Sequence, residues 1–71
     1  MGKAPPENSF FKSLRPFRGK IYTNNAGDRL YVWDYSHGEI EVYNKNGYHL
    51  SVLDENGKYI KPAVKGRKID V

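Results

Sequence analysis

Four short polar segments rich in Gly, Asn and Asp interrupt the chain: NNAGD, SHG, NKNG and DENG. The runs between them are rich in Tyr, Val, Ile and Trp, the residue types that favour β-strands. Asn-Gly flanked by two such runs is a strong signal for a β-hairpin. The sequence therefore predicts a mainly β fold, a small and highly twisted antiparallel sheet with a short N-terminal arm or helical turn.

The predicted strands lie near residues 20–23, 29–34, 39–44, 48–53 and 58–60, and a final extended piece lies around residues 67–71. They define a folded domain over residues 18–71, and no internal repeat is expected within it. The short spacing of the turns favours hairpins between successive strands, so neighbours in the chain are expected to be neighbours in the sheet.

Residues 1–17 are predicted to form a flexible arm, because a Pro-Pro pair near the start blocks regular structure. Asn8 or Ser9 is expected to cap a short helical turn that runs through Leu14. Pro16 is expected to end this turn, since proline cannot continue a helix. The arm is therefore expected to contribute no strand.

Length and composition exclude several classes of protein. A single domain of 71 residues has a small core and is not expected to enclose a deep substrate cavity. Without cysteine it has no disulfide and no thiolate metal site, and its two histidines, twelve residues apart, form no recognised ligand pattern. No apolar run reaches the length of a membrane span, and the N-terminus lacks the features of a signal peptide. We therefore expect a soluble domain without a metal or another cofactor.

Charge is distributed unevenly along the chain, whose net charge is +4. Residues 28–55 carry two basic and six acidic side chains, a net charge of −4, whereas the two flanks carry ten basic and two acidic ones, a net charge of +8. Basic flanks suit a polyanion such as RNA or DNA, because Lys and Arg displace the counterions condensed on phosphates. A module that only binds nucleic acid has little use for the acidic centre.

The second predicted hairpin determines where the acidic side chains point. With residues 35–38 as its loop, Asp34 lies opposite Glu39, Trp33 opposite Ile40, Val32 opposite Glu41 and Leu30 opposite Tyr43. One face then carries the expected core residues Tyr31, Trp33, Ile40 and Val42. The other face carries Asp34, Glu39, Glu41 and Tyr43, with His37 above them on the turn. The sequence thus predicts a cluster of titratable groups on one face of the sheet.

Each of these residues also has an ordinary structural interpretation. His37 is compatible with a solvated loop residue, and Asp34 with a residue that caps its own turn. Glu39 and Glu41 are compatible with the solvent face of an antiparallel strand. Arg67 and its lysine neighbours fit a frayed tail. However, carboxylates beside an imidazole on one exposed face, within a basic frame, favour acid–base chemistry.

The stretch Trp33-Asp34, His37-Gly38-Glu39, Glu41 and Tyr43 resembles the catalytic motif of the cytotoxic ribonuclease domain of cloacin and the ribosome-inactivating E-group colicins. A weaker resemblance runs from about Arg18 to Ile69 and includes GDRLYVWD and GYHL. The resemblance implies a metal-independent endoribonuclease that cuts small-subunit ribosomal RNA at the decoding site. It also implies a dedicated acidic immunity protein that keeps the domain inactive.

By this resemblance, Asp34, His37 and Glu41 match the catalytic carboxylates and imidazole of the family. Arg67 matches the catalytic arginine of the family. Cleavage of RNA without a metal needs a base for the 2′-hydroxyl, a proton donor for the departing 5′-oxygen and positive charge for the phosphorane. Glu41, His37 and Arg67 are predicted to fill these roles in that order, while Asp34 orients the imidazole and favours its charged form. Contacts to the RNA are assigned to Tyr43 and six lysines: Lys20, Lys45, Lys58, Lys61, Lys65 and Lys68.

The expected partners are the small subunit of the bacterial ribosome and the immunity protein, and no membrane contact is expected for this domain. We expect the chain to act in the cytoplasm of a target bacterium as the toxic module of a larger protein that is secreted or delivered. Two other functions stay open. One is a non-catalytic β-barrel nucleic-acid-binding module, which needs aromatic side chains exposed on one face. The other is a metal-free nuclease toxin that cuts tRNA.

Overall fold

Six consecutive strands form one antiparallel sheet in the computed structural model, which describes residues 2–71. The strands are β1 (Arg15–Arg18), β2 (Ile21–Thr23), β3 (Arg29–Asp34), β4 (Glu39–Asn44), β5 (His49–Leu53) and β6 (Tyr59–Pro62). Their order in the sheet is their order in the chain, so every connection is a hairpin. The predicted mainly β antiparallel fold is confirmed.

The N-terminal segment differs from the prediction in one element. The expected helical turn is present as a single 3₁₀ turn over Phe11–Ser13, but Phe10 occupies the N-cap position and no side chain caps it. Directly after it, residues 15–18 form β1, where the sequence predicted a flexible arm over residues 1–17 without a strand. Proline is tolerated there because β1 is an edge strand, so a missing N–H can face away from β2.

The turns of the four hairpins from β2 to β6 repeat with a period of ten residues. Asn24, Asp34, Asn44 and Asp54 each precede a turn, and each accepts hydrogen bonds from backbone N–H groups of that turn through Oδ1. Such side-chain bonds stabilise the turn locally. The sequence predicted no internal repeat, and the recurrence is confined to these turns. Sequence reasoning missed the period because the residues between the turns differ from one hairpin to the next.

The predicted register of the β3–β4 hairpin is confirmed at every pair, including Asp34 opposite Glu39 and Val32 opposite Glu41. The predicted core face is confirmed as well, since Tyr31, Trp33, Ile40 and Val42 are all buried in one cluster. Phe11 completes this cluster from the N-terminal segment. Burial of these apolar side chains leaves the alternate residues of β3 and β4 on the opposite face, which we call the site face.

The C-terminal segment is attached to the sheet near the start of β5. The N–H of His49 donates to the carbonyl of Arg67 at 3.0 Å, and the N–H of Ile69 donates to the carbonyl of Gly47 at 2.8 Å. Gly47 has a φ of 91°, and a Cβ at this position would collide with the Ile69 carbonyl oxygen. Lys68 also forms an isolated bridge with Tyr48. The first residues of the predicted extended piece at 67–71 are therefore hydrogen-bonded to residues 47–49, beside the start of β5.

The sheet is open, because β1 and β6 are its two edges and no pairing joins them within residues 2–71. This architecture differs from the closed barrel of the alternative binding module. Across the same described residues, no helix has the length and hydropathy needed to cross a membrane.

Candidate active site

In the turn between β3 and β4, the glycine stands one position later than in the other turns of the series. In three of the four turns, glycine follows the capping residue by three positions, at Gly27, Gly47 and Gly57. In the β3–β4 turn, His37 occupies that position and the glycine comes one residue later. Gly38 takes a φ of 66° and donates its N–H to the carbonyl of Asp34 at 2.8 Å. The later position of the glycine thus leaves position 37 to a histidine at the edge of the site face.

Asp34 binds both the backbone and the side chain of this turn. Its Oδ1 accepts the Ser36 N–H at 2.9 Å and the His37 N–H at 3.4 Å, while its Oδ2 lies 2.8 Å from Nδ1 of His37. Partial burial raises the pKa of Asp34, but the hydrogen bonds from the His37 ring and the two backbone N–H groups outweigh it and leave the pKa below its usual value. The ionised carboxylate accepts, so Nδ1 of His37 is the donor and Nε2 points away from Asp34.

The imidazole of His37 is exposed, with 65% of its side chain accessible to solvent. A ring that is fixed at Nδ1 and open at Nε2 is suited to exchange a proton with a bound substrate. The solvated-loop interpretation accounts for the exposure of His37 but not for its hydrogen bond with Asp34. The turn-cap interpretation of Asp34 is correct for Oδ1 and leaves the Oδ2 contact unexplained.

Glu41 lies in β4 on the site face and is largely covered, with 14% of its side chain exposed. Its Oε1 accepts a hydrogen bond from Nη1 of Arg67 at 2.9 Å, across 26 residues of sequence. No side chain or backbone group of residues 2–71 donates a hydrogen bond to Oε2. The structure therefore brings Arg67 to Glu41 and leaves one carboxylate oxygen of Glu41 able to accept a proton.

His49 is a site residue that sequence reasoning missed. Its side chain is fully buried, with Nε2 only 2.7 Å from Oε1 of Glu41, although the contact lies off the direction of a well-aligned hydrogen bond. Its Nδ1 accepts the backbone N–H of Val64 at 2.8 Å. A register argument for the β4–β5 hairpin offered a signal, because it places His49 opposite Tyr43 on the face that carries Glu41.

A cleft of about 260 Å³ on the site face is lined by all four predicted catalytic residues. Its lining residues are Asp34, His37, Glu39, Glu41, Val52, Lys61, Pro62, Val64 and Arg67. A larger cleft of about 390 Å³ lies on the core side, between the N-terminal segment and Trp33, and contains none of Asp34, His37, Glu41 and Arg67. We take the smaller cleft as the candidate active site because it holds the titratable groups.

Tyr43 does not share the exposure of the other predicted RNA contacts. It is 5% exposed, and its ring packs edge-on against the ring of His49, with 5.3 Å between the centroids. Burial raises the pKa of Tyr43, and the charge of Glu41 raises it further, against the opposing charge of Arg67. With its ring packed in this way, Tyr43 supports the site from within and offers no free face on which a base could stack.

The six predicted RNA-binding lysines are all exposed, but they do not form one group. Nζ of Lys61 lies 3.2 Å from Oε1 of Glu39, within the site cleft. Lys68 lies over the ring of Tyr48, with its Nζ 5.3 Å from the centroid, beside Arg67 in the chain. Lys20 instead lines the larger cleft on the core side. The remaining three lysines lie in turns or loops: Lys45, Lys58 and Lys65. Their contact with RNA stays a prediction.

The described residues contain no group of three or more His, Cys, Asp or Glu side chains arranged to hold a metal ion. The positive charge within the site comes from side chains, since Arg67 and Lys61 each face a carboxylate of the cleft. The arrangement as a whole offers an oriented imidazole, a partly covered carboxylate and a guanidinium in one concave surface. These are the groups that proton transfer and stabilisation of an anion require.

The comparison with known families agrees with the resemblance seen in the motif. A family model described as Cytotoxic matches residues 15–70, which is 56 of the 71 residues. The match includes all six strands and the four residues Asp34, His37, Glu41 and Arg67. No curated protein shows a significant match to the chain. The chain belongs to the Cytotoxic family, the cytotoxic domain of cloacin and the E-group colicins, and is thus a domain of a colicin-type toxin.

Proposed function

We propose that the chain is a metal-independent endoribonuclease that cuts small-subunit ribosomal RNA at the decoding site and so stops translation. The single observation that carries the proposal is the cleft in which the Asp34–His37 pair and the Glu41–Arg67 pair face the same space. Membership of the Cytotoxic family supports a toxic activity for this cleft. The choice of ribosomal RNA rests on the resemblance to the ribosome-inactivating colicins.

The proposed reaction is an internal transfer of the phosphodiester. Glu41 takes the proton of the ribose 2′-hydroxyl, and the 2′-oxygen forms a bond to phosphorus while the bond from phosphorus to the 5′-oxygen breaks. His37 gives its Nε2 proton to the departing 5′-oxygen. The products are a 2′,3′-cyclic phosphate upstream of the break and a 5′-hydroxyl downstream of it.

Arg67 and Asp34 have supporting roles in this scheme. The guanidinium of Arg67 stabilises the negative charge that grows on the phosphorane, because a charge fixed in a partly desolvated site needs little reorganisation. Asp34 holds the ring of His37 by Nδ1, which leaves the hydrogen on Nε2 pointing to solvent and substrate. Its lowered pKa keeps this carboxylate ionised at neutral pH.

The test is to incubate the purified chain with bacterial ribosomes in the presence of EDTA and to map the new RNA ends. We expect a single break in the small-subunit RNA with a 2′,3′-cyclic phosphate end. Loss of activity in EDTA or a 3′-hydroxyl end would contradict the mechanism. Intact RNA would favour the binding-module alternative, and cleaved tRNA beside an untouched ribosome would favour the tRNA nuclease.

Two further proposals concern the setting of this activity. A ribonuclease of this kind would kill its producer, so we propose a small acidic immunity protein that covers part of the basic surface. Such a partner binds only the folded domain and therefore raises its melting temperature by mass action. We also propose that the chain reaches the cytoplasm of a target bacterium as the toxic module of a larger protein. Two results together would contradict the proposed immunity protein. They are the absence of a complex with the product of the neighbouring gene and the survival of cells that make the active toxin alone.

A further inference from the structure

His49 connects three parts of the site face from a fully buried position. Its backbone N–H donates to the carbonyl of Arg67, its Nδ1 accepts from Val64, and its Nε2 faces Glu41. Buried polar atoms of side chains nearly always have partners, since an unsatisfied one loses its hydration without compensation. A buried imidazole with two directed contacts is therefore an ordered element of the site.

The contact with Val64 determines which ring nitrogen carries the hydrogen. The backbone N–H of Val64 is a donor, so Nδ1 of His49 must accept and carries no hydrogen. The hydrogen of the neutral ring is then on Nε2. A doubly protonated ring would place an N–H against the N–H of Val64 and lose this bond. The structure thus requires the neutral ring with its hydrogen on Nε2.

The hydrogen on Nε2 is directed to the region of the Glu41 carboxylate. The two heavy atoms are 2.7 Å apart, although the contact does not have the alignment of a hydrogen bond in the free domain. Catalytic hydrogen bonds are often poorly aligned in the free enzyme and tighten in the complex with substrate. The same Oε1 also accepts from Arg67, so both donors act on one oxygen of Glu41.

We propose that His49 is a positioning residue for the base Glu41, an inference that rests on the proposed ribonuclease function. As a donor from Nε2, His49 fixes Oε1 and turns Oε2 towards the ribose hydroxyl. Through Nδ1 and its backbone N–H, it also holds the loop from Val64 to Arg67 against β5, which places the guanidinium beside the same carboxylate. His49 itself does not touch the substrate, because its side chain is buried beneath Glu41.

The first test uses the wild-type chain without RNA. Nitrogen-15 NMR at neutral pH distinguishes a ring nitrogen that carries hydrogen from one that does not. We expect an unprotonated Nδ1 and a protonated Nε2 for His49. The opposite tautomer, or a doubly protonated ring, would overturn the proposal. The result does not depend on any ribonuclease activity, so it separates a failure of this inference from a failure of the proposed function.

The second test compares two amide variants that each keep one half of the ring's bonding. In His49→Gln the amide NH₂ can replace the donor Nε2, whereas in His49→Asn the amide oxygen can replace the acceptor Nδ1. We expect His49→Gln to cleave within about tenfold of the wild-type single-turnover rate and His49→Asn to lose about 10²-fold, with ribosome affinity unchanged in both. Equal rates, a faster Asn variant, or a change in affinity alone would overturn the proposal.

Separate control experiments check the folding of the variants and the activity of the wild-type chain. The melting temperatures of both variants show whether a slow variant is folded, and if neither folds, the tautomer of the wild-type ring decides the question. Wild-type chain that leaves ribosomal and transfer RNA intact would overturn the proposed function. The NMR result would then still decide whether Nε2 of His49 carries the hydrogen that the proposal requires.

Discussion

Asp34 and His37 are joined twice within one turn, through the side-chain contact of 2.8 Å between Oδ2 and Nδ1 and through Oδ1 and the backbone N–H of His37. The same carboxylate thus builds the turn and orients the imidazole. Because two of the other three turns of the series use an asparagine, Asn24 or Asn44, in the same capping position, asparagine can perform the first task. Only the second task requires the charge of an aspartate.

Replacement of Asp34 by Asn should therefore change stability in a pH-dependent way. The folded pKa of Asp34 is lowered, so its contribution is complete above the unfolded value of about 3.9 and is lost as the pH falls through the folded value. We expect the wild-type chain to be more stable than Asp34→Asn at neutral pH and the difference to narrow below about pH 4. Urea unfolding across this range measures it. A difference that stays constant down to strongly acidic pH would contradict the lowered pKa.

Replacement of Glu41 by Gln tests the assignment of the base. The variant keeps the size of the side chain and an acceptor for Arg67 but removes the proton acceptor, so single-turnover cleavage should slow by about 10²–10⁴. Ribosome affinity should be retained. Glu39→Gln is the matched control, since Glu39 lies in the same cleft and pairs with Lys61, and it should cleave at close to the wild-type rate. A near-wild-type rate for Glu41→Gln together with an inactive Asp34→Asn would assign the base to Asp34 instead.

Tyr43 should report the charge of Glu41 at alkaline pH. Burial raises the pKa of Tyr43, and the carboxylate of Glu41 raises it further. Glu41→Gln should therefore lower the pKa of Tyr43, which is measured by the ultraviolet absorbance of tyrosinate as the difference between each protein and its Tyr43→Phe counterpart. Because the pKa of Tyr43 is raised in the folded state, the contribution of Tyr43 to stability is complete below about pH 10. This contribution is lost as the pH rises through the folded pKa of Tyr43. An unchanged Tyr43 titration in Glu41→Gln would place the two groups farther apart than they are in this structure.

Phe11 should be essential for stability although it lies in the segment predicted as an arm. It is 5% exposed and packs against Tyr22 and Trp33, with ring centroids 4.8 and 5.7 Å away. Phe11→Ala should lower the free energy of unfolding by about 3 kcal/mol, the cost of removing a buried phenylalanine. The control is Phe17→Ala in β1, whose side chain is exposed and whose loss should cost far less. Equal effects of the two substitutions would mean that Phe11 is not part of the core.

The salt dependence of ribosome binding should separate the lysines by their place on the sheet. Each lysine that displaces a counterion from single-stranded RNA contributes about 0.7 to the slope of log affinity against log salt concentration. Lys65→Ala, in the loop that precedes Arg67, should reduce the slope by about this amount. Although the sequence predicts Lys20 as an RNA contact, Lys20→Ala should leave the slope unchanged, because Lys20 lines the cleft on the core side. An equal reduction for both variants would mean that RNA contacts both sides of the domain.

The hairpins and the core of this protein could be predicted because their causes are local. A capping Asn or Asp and a following glycine determine each turn, and the alternation of apolar and polar residues in β3 and β4 determines which face is buried. Once the β3–β4 loop is placed, Asp34, His37 and Glu41 follow on or beside the site face. Three of the four predicted catalytic residues therefore lie within one hairpin of the sequence.

The sequence by itself thus determined the antiparallel hairpins, the core face and the cluster around the β3–β4 turn. Only the tertiary structure decided the pairing of residues 15–18 as β1, the burial of Tyr43 and His49, and the approach of Arg67 to Glu41. The physical reason is the sequence separation between the residues that each contact joins. Turn and strand patterns act over a few residues. The contact of Arg67 with Glu41 instead depends on the hydrogen bonds that join the C-terminal segment to the start of β5, between residues far apart in the sequence.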